Sequence, residues 1–213
     1  MAKINGEMLK IERATLSLGG RTLFRELNME VRKGEVVCIT GDSGCGKTSL
    51  LRAILGFQTL DCGIIYVNDI QLNSRSIAKI RQMTAYIPQE LSLPHESVRE
   101  MVRMPFELKG NKNLCFSKSL LWEQWETLGL EQQLYTSNMA HLSGGQRQRI
   151  LLSVCALLGK PLVIADEPTS ALDADCVRRV VSFFKNLAEK GTAILTVSHD
   201  RDFIAGCDRV VEL

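Results

Sequence analysis

Residues 36–55 read VVCITGDSGCGKTSLLRAIL, and this stretch decides the fold. Val36 to Ile39 form a short apolar run that predicts a buried strand, and Lys47 to Leu55 have the pattern of a helix. Between them, Gly41 to Thr48 match G-x-x-x-x-G-K-[ST]. Glycines let successive backbone N–H groups point inward around an anion, and the following helix presents its positive N-terminal end. The order of strand, glycine-rich loop and helix therefore predicts a phosphate-binding loop.

Further along the chain, short apolar runs alternate with helical patterns. The runs Ala85 to Ile87, Leu162 to Ala165 and Ala193 to Val197 predict buried strands, which favours a parallel α/β sheet. Near the N-terminus, two alternating segments predict a small antiparallel β region. A mixed helical pattern interrupts the alternation, so we expect one domain over residues 1–213 with an inserted helical lobe at about 90–141.

Composition excludes several classes of protein. The formal net charge is +2, which gives no electrostatic case for binding nucleic acid or an anionic membrane surface. None of the 7 cysteines forms a C-x-x-C pair, so we do not expect a zinc site. We expect instead a cytosolic protein whose cysteines are reduced. The longest nearly apolar run, Ile150 to Leu158, is about half the length that a membrane span needs.

Two carboxylates follow the apolar run that ends at Ala165. Asp166 at the end of a buried strand is costly unless it meets a cation, and a Mg²⁺ ion held by Thr48 would supply one. Lys47 can reach the β- and γ-phosphates. Glu167 can then polarise or position the water that attacks the γ-phosphate. A solvated acidic pair is the alternative, which the phosphate-binding loop disfavours.

A second glycine pair lies at Leu142-Ser143-Gly144-Gly145-Gln146, directly before a predicted helix. Ser143 can cap that helix and donate to a phosphate, and an ordinary N-cap with glycines is the alternative. The order of the phosphate loop, this pentapeptide and Asp166-Glu167 resembles the nucleotide-binding subunit of an ATP-binding cassette (ABC) transporter. All five residues of the pentapeptide match that family's signature, and the resemblance covers nearly the whole chain.

The resemblance implies an α/β fold with the parallel sheet core of a P-loop NTPase, hydrolysis of ATP with Mg²⁺, and a homodimer that forms on ATP binding. In that family the signature of one subunit closes on the ATP held by the other. It also implies an integral membrane subunit as partner, no nucleic-acid partner and no direct membrane insertion. The protein would be cytoplasmic, peripheral at the inner face of the cell membrane.

The resemblance also assigns site residues. Catalytic roles fall to Glu167, His199 and Gln89, and magnesium binding to Thr48, Gln89 and Asp166. The residues expected to bind the nucleotide are Gly41, Asp42, Ser43, Gly44, Cys45, Gly46, Lys47, Thr48, Ser49, Ser143, Gly144, Gly145, Gln146 and Asp173.

One position departs from the family pattern. Members usually stack adenine on an aromatic residue just before the first glycine turn, where this chain has Leu18. Adenine is then held by apolar contact alone or by an aromatic residue from another segment, of which Phe24 is the nearest in sequence.

Other functions remain open at this stage. The main alternative is an ATPase of the same fold outside transport, such as one that assists iron–sulphur cluster assembly. Relatives in chromosome maintenance or DNA repair carry long insertions that this chain lacks, and a metabolic kinase would leave Leu142 to Gln146 unexplained. The cargo and the direction of transport cannot be read from these residues.

Overall fold

The structure, a computed structural model, describes residues 6–89 and 97–213. Its strands fall into two sheets, one antiparallel and one parallel. In chain order the strands are β1 (Glu7–Leu18), β2 (Arg21–Arg32), β3 (Val36–Thr40), β4 (Cys62–Val67), β5 (Ile70–Gln71), β6 (Thr84–Ile87), β7 (Leu162–Asp166), β8 (Ala193–Val197) and β9 (Arg209–Glu212).

The helices surround the parallel sheet and fill the region between β6 and β7. In chain order the α-helices are α1 (Lys47–Ile54), α2 (Ile77–Gln82), α3 (Val98–Glu107), α4 (Lys118–Leu128), α5 (Gly144–Leu158), α6 (Ala174–Glu189) and α7 (Arg201–Ala205). Short 3₁₀ turns lie at Lys109–Asn111, Gln132–Thr136 and Met139–His141. The sequence pattern did not predict α2 and α7, because helices of five or six residues are too short to show a helical period.

The parallel sheet has the strand order β6-β7-β8-β3-β9. Every neighbouring pair in it runs parallel, as the alternation of strands and helices predicted. The carboxyl ends of β3, β6, β7 and β8 therefore lie at the same edge of the sheet. Ligands of open α/β sheets bind at this edge.

The antiparallel sheet, in the order β2-β1-β4-β5, forms the expected N-terminal β region. Together with α1 it covers one face of the parallel sheet. Val37 and Ile39 of β3 face this first core, whereas Val36 and Cys38 face a second core that includes α5 and α6. Strand residues alternate between faces, so a strand buried on both sides is apolar throughout, as residues 36–39 are.

The helical region between β6 and β7 contributes side chains to this second core. Leu121, Trp125 and Leu128 of α4 are fully buried there. The indole Nε1 of Trp125 donates a hydrogen bond to Ser153 Oγ at 3.0 Å, which ties α4 to α5. None of the helices in the described ranges combines the length and apolar character that crossing a membrane requires.

Candidate nucleotide-binding site

Lys47 is the centre of the glycine-rich loop. Although charged, it is only 7% exposed, and its Nζ donates hydrogen bonds to the carbonyls of Gly41 at 2.7 Å and Asp42 at 2.8 Å. Cys45 Sγ lies 3.8 Å from the same Nζ. The ammonium group is therefore held against the carbonyls at the start of the loop.

Gly46 shows why this loop needs glycine. Its φ of 111° lies in the region that other residues rarely adopt, and a Cβ there would lie 2.9 Å from Leu23 Cβ. The close contact fixes the loop against β2. Gly46 also precedes α1 without contributing a side-chain cap, so the first-turn N–H groups of α1 are free to face an anion.

Asp166 ends β7 with its carboxylate buried, at 2% exposure. Burial raises the pKa of Asp166 above its usual range, and the Thr48 hydroxyl, Arg52 and Lys47 partly oppose that shift. Its Oδ1 has no hydrogen-bond partner among the described residues. A buried carboxylate oxygen without a donor, close to the Thr48 hydroxyl, fits a Mg²⁺ site, because Mg²⁺ takes one or two protein oxygens and completes its shell with water and substrate phosphates.

Glu167 and His199 form a pair at the ends of two neighbouring strands. Glu167 Oε1 lies 3.4 Å from His199 Nε2, and the glutamate side chain is 13% exposed against 52% for the histidine. Burial raises the pKa of Glu167, while His199 lowers it in part. Glu167 also has a φ of 49°, a left-handed conformation that is uncommon for a residue with a side chain. Strained backbone of this kind clusters at functional sites.

Gln89 is exposed and lies two residues beyond Ile87, the last residue of β6. Ile87 pairs with Ala165 of β7, so Gln89 leaves the sheet beside Asp166. Residues 90–96, which follow it, lie outside the described part of the chain. The structure therefore brings five predicted residues or groups to one edge of the sheet: Gly41 to Thr48, Asp166, Glu167, Gln89 and His199.

The predicted signature lies at the start of α5. Ser143 Oγ accepts a hydrogen bond from the Gln146 N–H at 3.1 Å, and Gln146 Oε1 accepts one from the Ser143 N–H at 2.9 Å. This reciprocal pair is a capping box. The Ser143 hydroxyl acts as acceptor in it, so its own hydrogen remains available for donation to a phosphate. Ser143 and Gly144 are both exposed.

Gly145 packs the signature against the loop that follows β7. A Cβ on Gly145 would lie 2.9 Å from the Ala171 carbonyl oxygen and 2.9 Å from Leu172 Cδ2. Asp173, at the end of that loop, caps α6, and its Oδ1 accepts a hydrogen bond from the Cys176 N–H at 2.8 Å. Among the described residues, no hydrogen bond or ion pair joins residues 143–146 to residues 41–48.

Comparison with known proteins identifies the family. The family model described as "ABC transporter" matches residues 24–170, more than half of the chain. This chain belongs to the ABC transporter ATP-binding family. The family hydrolyses ATP with Mg²⁺, and this chain is one of its ATPase domains.

Individual relatives agree with that assignment. The lipoprotein-releasing system ATP-binding protein LolD of Shewanella denitrificans is 38% identical over 90% of this chain and 84% of its own length. The glutamine transport ATP-binding protein GlnQ of Bacillus subtilis is 29% identical over 96% of this chain and 86% of its own length. Other curated relatives are longer, and the chain spans 65% of the methionine import protein MetN of Clostridium acetobutylicum.

A solved structure has the same fold. The ATP-binding cassette MJ0796, determined as a dimer in a post-hydrolysis state with ADP and phosphate, superimposes with a TM-score of 0.82 at 26% identity. The match covers 97% of this ABC ATPase domain and 94% of the other chain.

Leu18 and Phe24 are the two residues that the sequence offered for contact with adenine. Leu18 ends β1 at the Gly19-Gly20 turn and is 58% exposed, so its side chain is accessible to a base. Phe24, the aromatic alternative, is only 8% exposed, and its Cδ1 would lie 3.3 Å from a Cβ on Gly46. Phe24 thus packs beneath the phosphate loop.

Sequence reasoning assigned no role to two residues near this ABC ATPase site, Arg52 and Arg149. Arg52 lowers the pKa of Asp166 in part, and it lies one helical turn beyond Thr48, a spacing that could have been noticed. Arg149 donates to the Gly145 carbonyl at 3.2 Å. The sequence indicated this contact only through the position of Arg149, four residues after Gly145 in the predicted helix.

Proposed function

We propose that this chain is the ATP-hydrolysing subunit of a transporter and that it works as a head-to-tail pair enclosing two ATP molecules. Each composite site takes the phosphate loop, Asp166, Glu167 and His199 from one subunit and Ser143 to Gln146 from the other. Closure on ATP and opening after hydrolysis would drive a separate membrane subunit.

The separation of the two half-sites supports this proposal. Among the described residues, no hydrogen bond or ion pair joins residues 143–146 to the phosphate loop of the same chain, and Gly145 packs instead against Ala171 and Leu172. Ser143 nevertheless is exposed and keeps a hydroxyl hydrogen that it can donate. A residue that binds a ligand held by another subunit would need both properties. A second copy of the chain would bring that ligand.

We assign the roles within one site from the local chemistry. Lys47 and the N–H groups of the loop and α1 would hold the β- and γ-phosphates, and the Thr48 hydroxyl and Asp166 would hold Mg²⁺, with Gln89 beside it. Mg²⁺ would neutralise the charge that develops on the phosphate oxygens. Glu167 would accept or orient the attacking water, and His199 would donate to the γ-phosphate.

We place the membrane partner on the surface between Gln89 and about Phe106, at the start of the helical lobe that we expect at about 90–141. Residues 90–96 of that surface lie outside the described part of the chain. Met104 and Phe106 of α3 are partly exposed there and provide adaptable apolar contacts, while Met101 is buried and belongs to the interior. Several relatives are named for transport or import, among them GlnQ and MetN, which favours transport over iron–sulphur assembly. Through that partner the chain would lie at the cytoplasmic face of a membrane.

Two inactive variants test the pair model. Lys47→Ala removes a phosphate contact of the subunit's own site, and Ser143→Arg blocks the site of its partner. Each variant alone should lack ATPase activity, but Ser143→Arg should still bind ATP as a monomer. A mixture of the two should recover activity, because one composite site in the heterodimer is intact. Loss of monomeric ATP binding in Ser143→Arg would assign the signature to its own subunit's site and overturn the model.

A further inference from the structure

Arg149 joins two helices through a single side chain. It lies in the second turn of α5, half-buried, and its Nε donates to the Gly145 carbonyl at 3.2 Å. Its Nη1 donates to the carbonyls of Leu128 at 2.9 Å and Gly129 at 3.0 Å. Those two carbonyls end α4, so one guanidinium group contacts both the signature turn and the end of a neighbouring helix.

The carbonyls at the end of α4 need such a donor. The last carbonyls of a helix have no partner within it and carry partial negative charge, which favours a cation. Gly129 ends α4 in the left-handed conformation with a φ of 66°. Arg149 therefore caps α4 from outside, while most helix caps come from residues adjacent in the chain.

The guanidinium group also acts on the loop before α6. The pKa of Asp173 is lowered chiefly by hydrogen bonds from Cys176, with a further contribution from the charge of Arg149. Gly145, which accepts from Arg149, packs directly on Ala171 and Leu172 of that loop. Arg149 thus contacts the signature turn and the end of α4 directly, and the signature turn packs in its turn on this loop.

We infer that Arg149 is a positioning residue that holds Ser143 to Gln146 in place relative to the end of α4. This inference rests on the proposed composite site. It predicts that Arg149 affects hydrolysis at the partner's nucleotide and leaves ATP binding at the subunit's own phosphate loop unchanged. Lysine cannot replace it fully, because a single ammonium group does not reproduce the planar fork that reaches carbonyls on two helices.

Arg149→Met, Arg149→Lys and Arg178→Met test the inference. Arg178 is the matched control, an exposed arginine whose carboxylate partner, Asp175, lies in its own helix. We expect Arg149→Met to lower kcat by about tenfold to a hundredfold, the range expected from a displacement of about 1 Å. Arg149→Lys should recover part of the loss, and Arg178→Met should match the parent. ATP binding to the monomer should be the same in all four proteins.

Mixing experiments separate positioning of the signature from general damage. Arg149→Met mixed with Lys47→Ala should recover activity, because one site then combines an intact phosphate loop with an intact signature. Arg149→Met mixed with Ser143→Arg should show no recovery, since both sites have a defective signature. If the first mixture fails to recover, Arg149 acts on its own subunit and the inference is wrong.

The controls distinguish the possible failures. If Ser143→Arg hydrolyses ATP normally, the composite site itself is wrong. If Ser143→Arg is inactive while Arg149→Met has the parent's kcat, the composite site stands and Arg149 does not position it. A lower melting temperature with unchanged kcat in Arg149→Met would identify a purely structural cap. Should Arg149→Met fail to fold, a kcat for Arg149→Lys equal to the parent's would overturn the inference.

Discussion

The carboxylate of Glu167 lies 3.4 Å from Nε2 of His199, and the two residues follow adjacent strands of the parallel sheet. The glutamate is mostly buried and the histidine half-exposed. Burial and the histidine act in opposite directions on the pKa of Glu167, and burial is the larger effect. The protonation of Glu167, the proposed base, therefore depends on His199, which follows the neighbouring strand.

This coupling predicts a shift in the pH dependence of hydrolysis. A base must be deprotonated, so activity falls as the pH drops through the pKa of Glu167, which burial places above the usual glutamate range. Because His199 lowers that pKa, His199→Ala should raise it and move the acid limb of kcat to higher pH. Steady-state kcat measured across the pH range for both proteins tests this, and an acid limb that does not move would contradict it.

Glu167→Gln should bind ATP and hydrolyse it very slowly, because the amide keeps the shape of the side chain but cannot accept the proton. With hydrolysis blocked, ATP should hold two subunits together, since a ligand that binds the dimer more tightly than the monomer shifts the equilibrium toward the dimer. Size-exclusion chromatography should show a dimer with ATP and a monomer with ADP. A monomer at saturating ATP would count against the paired arrangement.

Asp166→Asn should stabilise the fold while removing function. The raised pKa means that the charged carboxylate costs free energy above that pKa, a cost that disappears as the pH falls below the unfolded-state value. The neutral amide avoids this cost at neutral pH. The Tm of Asp166→Asn should therefore lie above that of the parent protein at neutral pH.

Magnesium provides the control for Asp166→Asn. In the presence of ATP, Mg²⁺ should raise the Tm of the parent protein more than that of the variant, because the variant lacks the carboxylate ligand. Differential scanning fluorimetry with and without the ion measures both effects. An equal response to Mg²⁺ in the two proteins would exclude Asp166 as part of the ion's site.

Cys45 should be protected from thiol reagents by ATP. Its Sγ lies 3.8 Å from Lys47 Nζ inside the phosphate loop, and the side chain is partly exposed. A bulky maleimide should label it and block nucleotide binding. Cys115 is exposed and serves as the control whose labelling ATP should not change. Mass-spectrometric mapping with and without ATP gives the result, and equal labelling of Cys45 in both would contradict the prediction.

Leu18→Tyr should bind ATP more tightly and discriminate better against GTP. An aromatic stack contributes about 0.5–1.5 kcal/mol beyond area burial, a few-fold to about tenfold in affinity. Leu120→Tyr, on the exposed surface of α4, is the control for adding a surface tyrosine. Titration with both nucleotides measures the effect. Unchanged ATP affinity in Leu18→Tyr would mean that Leu18 does not face the base.

Local features of this protein follow from residue order alone. The apolar residues 36–39, the glycine loop and the start of α1 are contiguous, and so are Ser143 with Gln146 and Asp173 with Cys176. Each depends on groups within a few residues of one another, so composition and spacing are enough to predict it. The alternation of strands and helices likewise indicates a parallel sheet, because parallel neighbours need a crossover between them.

The strand order was decided only in the tertiary structure. Apolar alternation determines which faces of a strand are buried but not which strand lies beside it, and that choice depends on packing over the whole sheet. The order β6-β7-β8-β3-β9 brings Gln89, Glu167 and His199 to the phosphate loop. The same long-range packing set Gly145 against Ala171 and placed Arg149 on the end of α4. These contacts join segments that lie more than twenty residues apart, so no local sequence pattern predicts them.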